Sequence, residues 1–272
     1  MQDNMPKVGF IGGGAMAEAL IAGLTSSGTV KAEKIFVSDH KEMRCAELRE
    51  KYDVQAQVGA ESFADKVDVL ILAVKPQAAA QAMSEIKKLV LNETITVSIV
   101  AGLTLAVLEE AFPKQAVVRV MPNTPLAVGA GMSALVAGSK ADRAVMALVQ
   151  SLFAAGGRAL EVAESQMDAV TGLSGSGPAY AFLMIDALAD GGVAAGLKRS
   201  AAIELAAQTL LGAAKMVLAT GNHPDVLRDQ VTSPAGTTIA GVRVLEEKGL
   251  RGALLDAVLA AADRSRELGR KE

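Results

Sequence analysis

The chain has 272 residues, 51% of them hydrophobic, which is enough to bury a large core and suits two domains better than one. Its 27 Lys and Arg are spread among 30 Asp and Glu for a net charge of −3, with no block of like charge, and this speaks against nucleic acid as a partner. A single cysteine, Cys45, and two histidines, His40 and His223, leave no internal disulfide framework and no Cys/His metal cluster, a usage that fits a cytoplasmic chain.

The segment Met1 to Lys7 carries Asp3 where an export signal needs positive charge, and the apolar run from Val8 to Ile11 stops at three glycines, so no export signal is expected. Candidate strands then follow at Val8–Ile11, Ile35–Ser38, Val69–Val74, Ile95–Val100, Val117–Met121 and Met132–Val136. Helix-like segments at Ala15–Ser27, Glu42–Glu50, Pro76–Val90 and Leu105–Ala111 lie between the earlier ones. This alternation predicts an α/β domain over residues 1–163, with a parallel sheet covered by helices on both faces.

The first predicted strand runs into Gly12-Gly13-Gly14-Ala15-Met16-Ala17 and then a helix. Glycines there permit a tight turn and let a pyrophosphate approach the backbone, while Ala17 keeps the helix close to the sheet. A purely structural turn would show the same glycines, but the position between strand and helix favours a dinucleotide. The second strand ends in Ser38-Asp39-His40-Lys41, where the adenine ribose is read. Asp39 argues for the 2′-OH of NAD, whereas Ser38, His40 and Lys41 can hold the phosphate of NADP, so both readings stand. Val74, Lys75 and Pro76, at the end of the next predicted strand, should border the cofactor. Lys75 reads more simply as a surface lysine than as a general acid, because no paired acid or base can be assigned to it.

After Glu164 the β-branched runs disappear, and helical periods are separated by Gly172–Gly177, Gly196–Ser200, Thr220–Pro224 and Lys248–Gly249. Residues 164–272 are therefore expected to form an all-α domain. Ala179–Ala195 is apolar around nearly its whole circumference apart from Asp186 and Asp190. Such a helix must be surrounded, and so short a domain offers few layers to do it, so a second copy of the chain should complete the core as an interleaved homodimer or something larger. Asp186, Asp190 and Gly191-Gly192 interrupt the stretch Ala179 to Gly196 too often for a membrane span. Arg264, Arg266, Arg270 and Lys271 complement the dipole of a C-terminal helix.

Ser233-Pro234-Ala235-Gly236-Thr237-Thr238 places small residues, hydroxyls and an uncovered backbone where a helix begins, with no basic residue between Arg228 and Arg243. The first N–H groups of a helix have no internal partner and carry the positive end of its dipole, so they form a socket for a small anion. The alternative is an ordinary Ser/Thr N-cap behind a proline turn.

Three segments decide between a generic dinucleotide protein and something more specific: Val118 through Pro125, Gly172 through Tyr180, and Val231 through Thr238. On these the chain resembles the Δ1-pyrroline-5-carboxylate reductases, over essentially its whole length. The resemblance implies a Rossmann domain joined to a helical dimerisation domain, dimers that assemble into decamers, and reduction of pyrroline-5-carboxylate to L-proline by NADPH or NADH. Ile11, Gly12, Gly13, Gly14, Ala15 and Met16 would hold the pyrophosphate, and Ser38, Asp39 and His40 the adenosine. Val74, Lys75, Pro76 and Ala101 would run along the cofactor toward its nicotinamide. Gln230 stands where relatives can have Asn. Glu164, Ser233, Gly236, Thr237 and Thr238 would surround the substrate, with Thr238 hydrogen-bonding the ring nitrogen. Ala235 occupies a place where many relatives carry Gly. The Gly172–Tyr180 segment reads as structural, a sharp turn with Pro178 in the first turn of the long helix.

Rival readings are weaker. A 3-hydroxyacid dehydrogenase would need a lysine on the long helix, and no Lys, Arg or His lies between Glu164 and Leu197. A metal-dependent reductoisomerase would need clustered carboxylates beyond Asp186 and Asp190. A non-catalytic dinucleotide-binding regulator would have no use for a substrate socket.

Overall fold

The structure, a computed structural model, describes residues 5–269; Asp3, Arg270 and Lys271 lie outside them. It divides into two compact units, one running to Gly175 and taking in the chain from Ala261 onward, the other Ser176–Ala260.

The first unit contains β1 (Val8–Ile11), α1 (Ala15–Ser26), β2 (Ile35–Ser38), α2 (Glu42–Tyr52), β3 (Gln55–Gln57), β4 (Val69–Leu72), α3 (Pro76–Ile86), β5 (Ile95–Ser98), α4 (Leu105–Ala111), β6 (Val117–Met121), β7 (Gly131–Ala137), α5 (Arg143–Ala154), β8 (Gly157–Glu161) and α6 (Met167–Val170). The strands form one sheet in the order β3-β2-β1-β4-β5-β6-β7-β8. Alternation along the buried strands feeds two cores: Val8, Phe10, Val69 and Ile71 pack with Leu20, Leu24 and Val37 on one face, while Ile11, Leu70 and Leu72 pack with Phe63, Ile86 and Phe112 on the other. Each such side chain contributes about 1.5–3 kcal/mol when fully buried.

The sheet departs from the all-parallel expectation at one junction. β7 runs antiparallel to β6, and β8 then pairs parallel to β7. The link from Met121 to Gly131 holds only a 3-10 turn, Thr124–Val128, and parallel pairing needs a much longer crossover. β3 and β8 read Gln-Ala-Gln and Gly-Arg-Ala-Leu-Glu, without the β-branched run that marks the others. α5 was also unmarked in the strand-and-helix alternation; Asp142 caps it by accepting from Val145 N–H at 2.9 Å, and Met146, Val149, Leu152 and Phe153 bury its inner face.

The chain does not leave the first unit at residue 163. Glu164 bonds Arg119 and Leu105, and Met167 is buried against Ala134 and Val136. Nor is Gly172–Gly177 a sharp turn: Thr171–Gly175 continues α6 as a π-helix, in contact with β6, since a Cβ on Gly175 would stand 2.9 Å from Met121 Cε.

In the second unit lie α7 (Gly177–Ala194), α8 (Arg199–Thr220), α9 (Pro224–Gln230) and α10 (Thr237–Glu247), and α11 (Leu250–Gly269) begins there. Pro178 sits in the first turn of α7, the place where its missing N–H costs nothing. α7 packs on α8 through Ala189, Ala202 and Ala206. Phe182 and Leu183 stay more than three-fifths exposed, so this chain alone does not cover the apolar helix. Among the described residues α8 is long and apolar enough to cross a membrane by length and composition.

Candidate active site

β1 delivers the chain to Gly12 at the carboxyl edge of the sheet, where φ is +100° and a Cβ would stand 2.6 Å from the Ala73 carbonyl oxygen. Only glycine accepts that conformation and that approach. Gly12 N–H donates to Ser38 O at 2.7 Å, locking the turn to the end of β2. Gly14 then precedes α1 with open space around it, and no side chain caps the helix. The first N–H groups of α1 thus face outward beside an unhindered backbone, which fits a pyrophosphate.

Gly13 is fixed from both sides by residues of the β2–α2 region. Its N–H donates to Asp39 Oδ2 at 2.9 Å, and its carbonyl accepts from Arg44 Nε at 2.7 Å. The other Asp39 oxygen accepts from Lys41 N–H at 3.0 Å, and His40 Nδ1 lies 3.2 Å from it. Arg44 is held in turn by Glu18 on α1 and by Glu47. Glu18 also accepts from Lys51 Nζ and Tyr52 Oη. The Arg44 guanidinium, with Lys51 and Tyr52 behind it, pulls the Glu18 carboxyl down to about 2. Neither this brace nor Arg44 had a local signature, because the partners lie 26 to 34 positions apart.

Ile11, Gly12, Ser38, Asp39, His40 and Val74 surround one cavity of about 470 Å³. Lys75 is the exposed N-cap of α3 with Pro76 behind it, and Ala101 lies on an exposed turn after β5.

Glu164 occupies a 3-10 turn, where its Oε1 accepts from Arg119 Nη1 at 2.7 Å and from Leu105 N–H at 3.1 Å. Arg119, buried on β6, had a visible signal: a charge inside the run Val117–Met121. Asn123 also acts as a strut, accepting from Met132 N–H at 2.8 Å and donating to Ser174 O in the π-helix at 3.0 Å.

In the second unit, α10 opens at Thr237 behind Gly236, which is the N-cap residue and offers no side-chain cap. The ordinary Ser/Thr cap is therefore not what is built. Gly236 N–H donates to Ser233 O at 3.1 Å, and a Cβ on Gly236 would collide with the Ser233 hydroxyl. Ala235 is held at φ +55°, a left-handed conformation that an alanine adopts at a cost of about 1–2 kcal/mol. The segment thus brings Ser233, Gly236, Thr237 and Thr238 into one turn, with the first N–H groups of α10 free of any capping side chain among the described residues. Gln230 is the exposed last residue of α9. Asp190 pairs with Arg199, and no group of three His, Cys, Asp or Glu gathers as a metal site among the described residues.

A glycine turn of this kind at the carboxyl edge of a doubly wound sheet, with the ribose-reading residues beside it, defines a dinucleotide-binding domain. Residues 7–102 match the family model described as NADP oxidoreductase, coenzyme F420-dependent, and residues 164–268 match pyrroline-5-carboxylate reductase dimerisation. The pyrroline-5-carboxylate reductase of Arabidopsis thaliana is 49% identical over 262 residues, 96% of this chain and 95% of that one. The one from Synechocystis sp. is 46% identical over 265 residues, 97% and 99% of the two chains. Among solved structures, a pyrroline-5-carboxylate reductase from Coxiella burnetii superposes with a TM-score of 0.92 at 36% identity, over 97% of this chain and 99% of that one. The Plasmodium falciparum enzyme with NADP bound gives 0.85 at 32%, over 97% and 98%. The chain belongs to the pyrroline-5-carboxylate reductase family.

Proposed function

We propose that the protein reduces the cyclic imine of L-1-pyrroline-5-carboxylate to L-proline with NADPH or NADH, the last step of proline biosynthesis. The observation that carries this reading is the start of α10, where the first turn opens behind Gly236 with no capping side chain and Ser233, Thr237 and Thr238 lie in the same short segment. They bind the substrate carboxylate. The Thr238 hydroxyl hydrogen-bonds the ring nitrogen, and Glu164 completes the substrate contacts. Reduced nicotinamide supplies the hydride when bound. The protonated imine is already electrophilic, so the protein's task is mainly to position it, and a site poor in acids and bases is sufficient.

Ile11 through Met16 hold the cofactor pyrophosphate; Ser38, Asp39 and His40 hold the adenosine; Val74, Lys75, Pro76, Ala101 and Gln230 complete the cofactor contacts. The relative with NADP bound and the NADP oxidoreductase model support this. We set the functional boundary between residues 163 and 164; the start of the dimerisation match at residue 164 supports it. Two copies pair through the helical segment, and the dimers assemble into a decamer in the cytoplasm. α8 lies wholly within the dimerisation match, which supports a protein partner rather than a membrane for its apolar surface.

Purified protein incubated with pyrroline-5-carboxylate and either NADPH or NADH should consume the reduced-nicotinamide absorbance and form proline. Flat traces with both cofactors would leave a dinucleotide-binding scaffold as the reading.

A further inference from the structure

Arg119 is the only charged side chain among the buried residues described, with 8% of its surface exposed. It stands on β6 with Ser98 and Val136 in register on the neighbouring strands. A guanidinium in that place needs a partner, and Glu164 is the one it has. The two oxygens of Glu164 are treated unequally. Oε1 takes both the Arg119 and the Leu105 hydrogen bonds, while Oε2 is shielded from water and has no partner among the described residues. The pair lines a cavity of about 220 Å³ together with Gly102, Thr104 and Asp168. The Asp168 carboxylate is already engaged by Ser265 Oγ at 2.7 Å and by Arg266 at 3.9 Å. Glu164 Oε2 is therefore the acceptor left open.

We infer that Arg119 is a positioning residue for the reaction: it fixes Glu164 by one oxygen so that the other lies beside the ring nitrogen, where it balances the charge of the protonated imine and accepts the N–H of the prolinium product that Thr238 does not take. The inference rests on the reading that Glu164 touches substrate. Among the described residues the Arg119 guanidinium has Glu164 as its one hydrogen-bonding partner. Its contribution is to hold the carboxylate in one rotamer, with its charge matched, before substrate arrives.

A kinetic double-variant cycle on the full-length protein tests this. Arg119→Gln should lower kcat/KM for pyrroline-5-carboxylate about tenfold while KM for NADPH changes by less than roughly twofold. Arg119→Lys keeps the charge without the fork and should recover part of the loss. Glu164→Gln should cost as much as Arg119→Gln, and adding either Arg119 change to Glu164→Gln should cost less than about a further twofold. Losses that multiply in the double variant, or wild-type kinetics in Arg119→Gln or Glu164→Gln, overturn the inference. Should Arg119→Gln not assemble by gel filtration, Arg119→Lys in the two Glu164 backgrounds gives the same test, with a loss in the first and none in the second. Failure of the wild-type protein to reduce pyrroline-5-carboxylate would be a separate result, sinking the activity rather than the Arg119–Glu164 linkage.

Discussion

Around the sheet, side chains as large as Phe10, Phe63, Phe112 and Phe153 are fully buried by the chain's own elements. Between Ser176 and Ala260 the buried apolar residues are Ala189, Ala202, Ala206 and Leu227, while Phe182, Leu183, Leu218 and Leu255 face outward. The sheet unit finds its hydrophobic stabilisation within one chain; the helical unit carries apolar side chains on the outside, in the segment that matches the dimerisation model. The two helix starts proposed to bind anions differ in the same way. Gly13 in the sheet unit is braced by Asp39, Arg44 and Glu18, whereas the turn before α10 contains a left-handed alanine and a Gly236–Ser233 backbone contact.

The largest effect should come from breaking the helical surface. Phe182→Glu with Leu183→Glu puts two charges where a partner must bury them, at more than about 2 kcal/mol each, and should turn the assembly into monomers in light scattering with loss of activity. An unchanged mass would show that this face of α7 is not the interface. Next comes Thr238→Ala, which should lower kcat/KM at least about tenfold through the lost hydrogen bond to the ring nitrogen. Kinetics equal to wild type would refute the role given to that hydroxyl. Ala235→Gly should stabilise the turn by about 1 kcal/mol, read as a higher denaturation midpoint, because glycine adopts positive φ without the Cβ penalty. A lower midpoint would mean that the added freedom of the unfolded chain outweighs the strain.

The smallest effect belongs to the brace on the sheet side. Glu18 titrates near 4.5 when free and is drawn to about 2 when folded, so the unfolded chain takes up its proton first as the pH falls. The stabilisation is complete above pH 4.5 and is lost on the way down toward about pH 2. Urea melts across that window should show wild type losing more stability than Glu18→Gln; parallel losses would remove Glu18 from the brace.

Much of this was legible before any coordinates. The β-branched runs placed β1, β2 and β6 at their observed bounds, and Pro178 marked the start of α7. What hid were elements that tertiary pairing creates against local preference: β3 with its two glutamines, and β8 opening on Gly157 and Arg158. The reversal at β7 hid for a different reason, since strand direction depends on the length of the link after Met121 rather than on the strand's own residues. In the site, the glycine turn and the start of α10 were readable because backbone geometry restricts residue type at a few adjacent positions. Arg44 on Gly13 was not assigned, because a side chain that bonds a backbone 31 positions away leaves no local mark; the charge of Arg119 inside a β-run was visible, but its partner Glu164, 45 positions on, was not.

A crystal of the protein with proline bound tests the central claim most directly. The account predicts the proline carboxylate on the N–H groups of Thr237 and Thr238, with the ring nitrogen toward the Thr238 hydroxyl. A carboxylate docked away from residues 233–238 would contradict it.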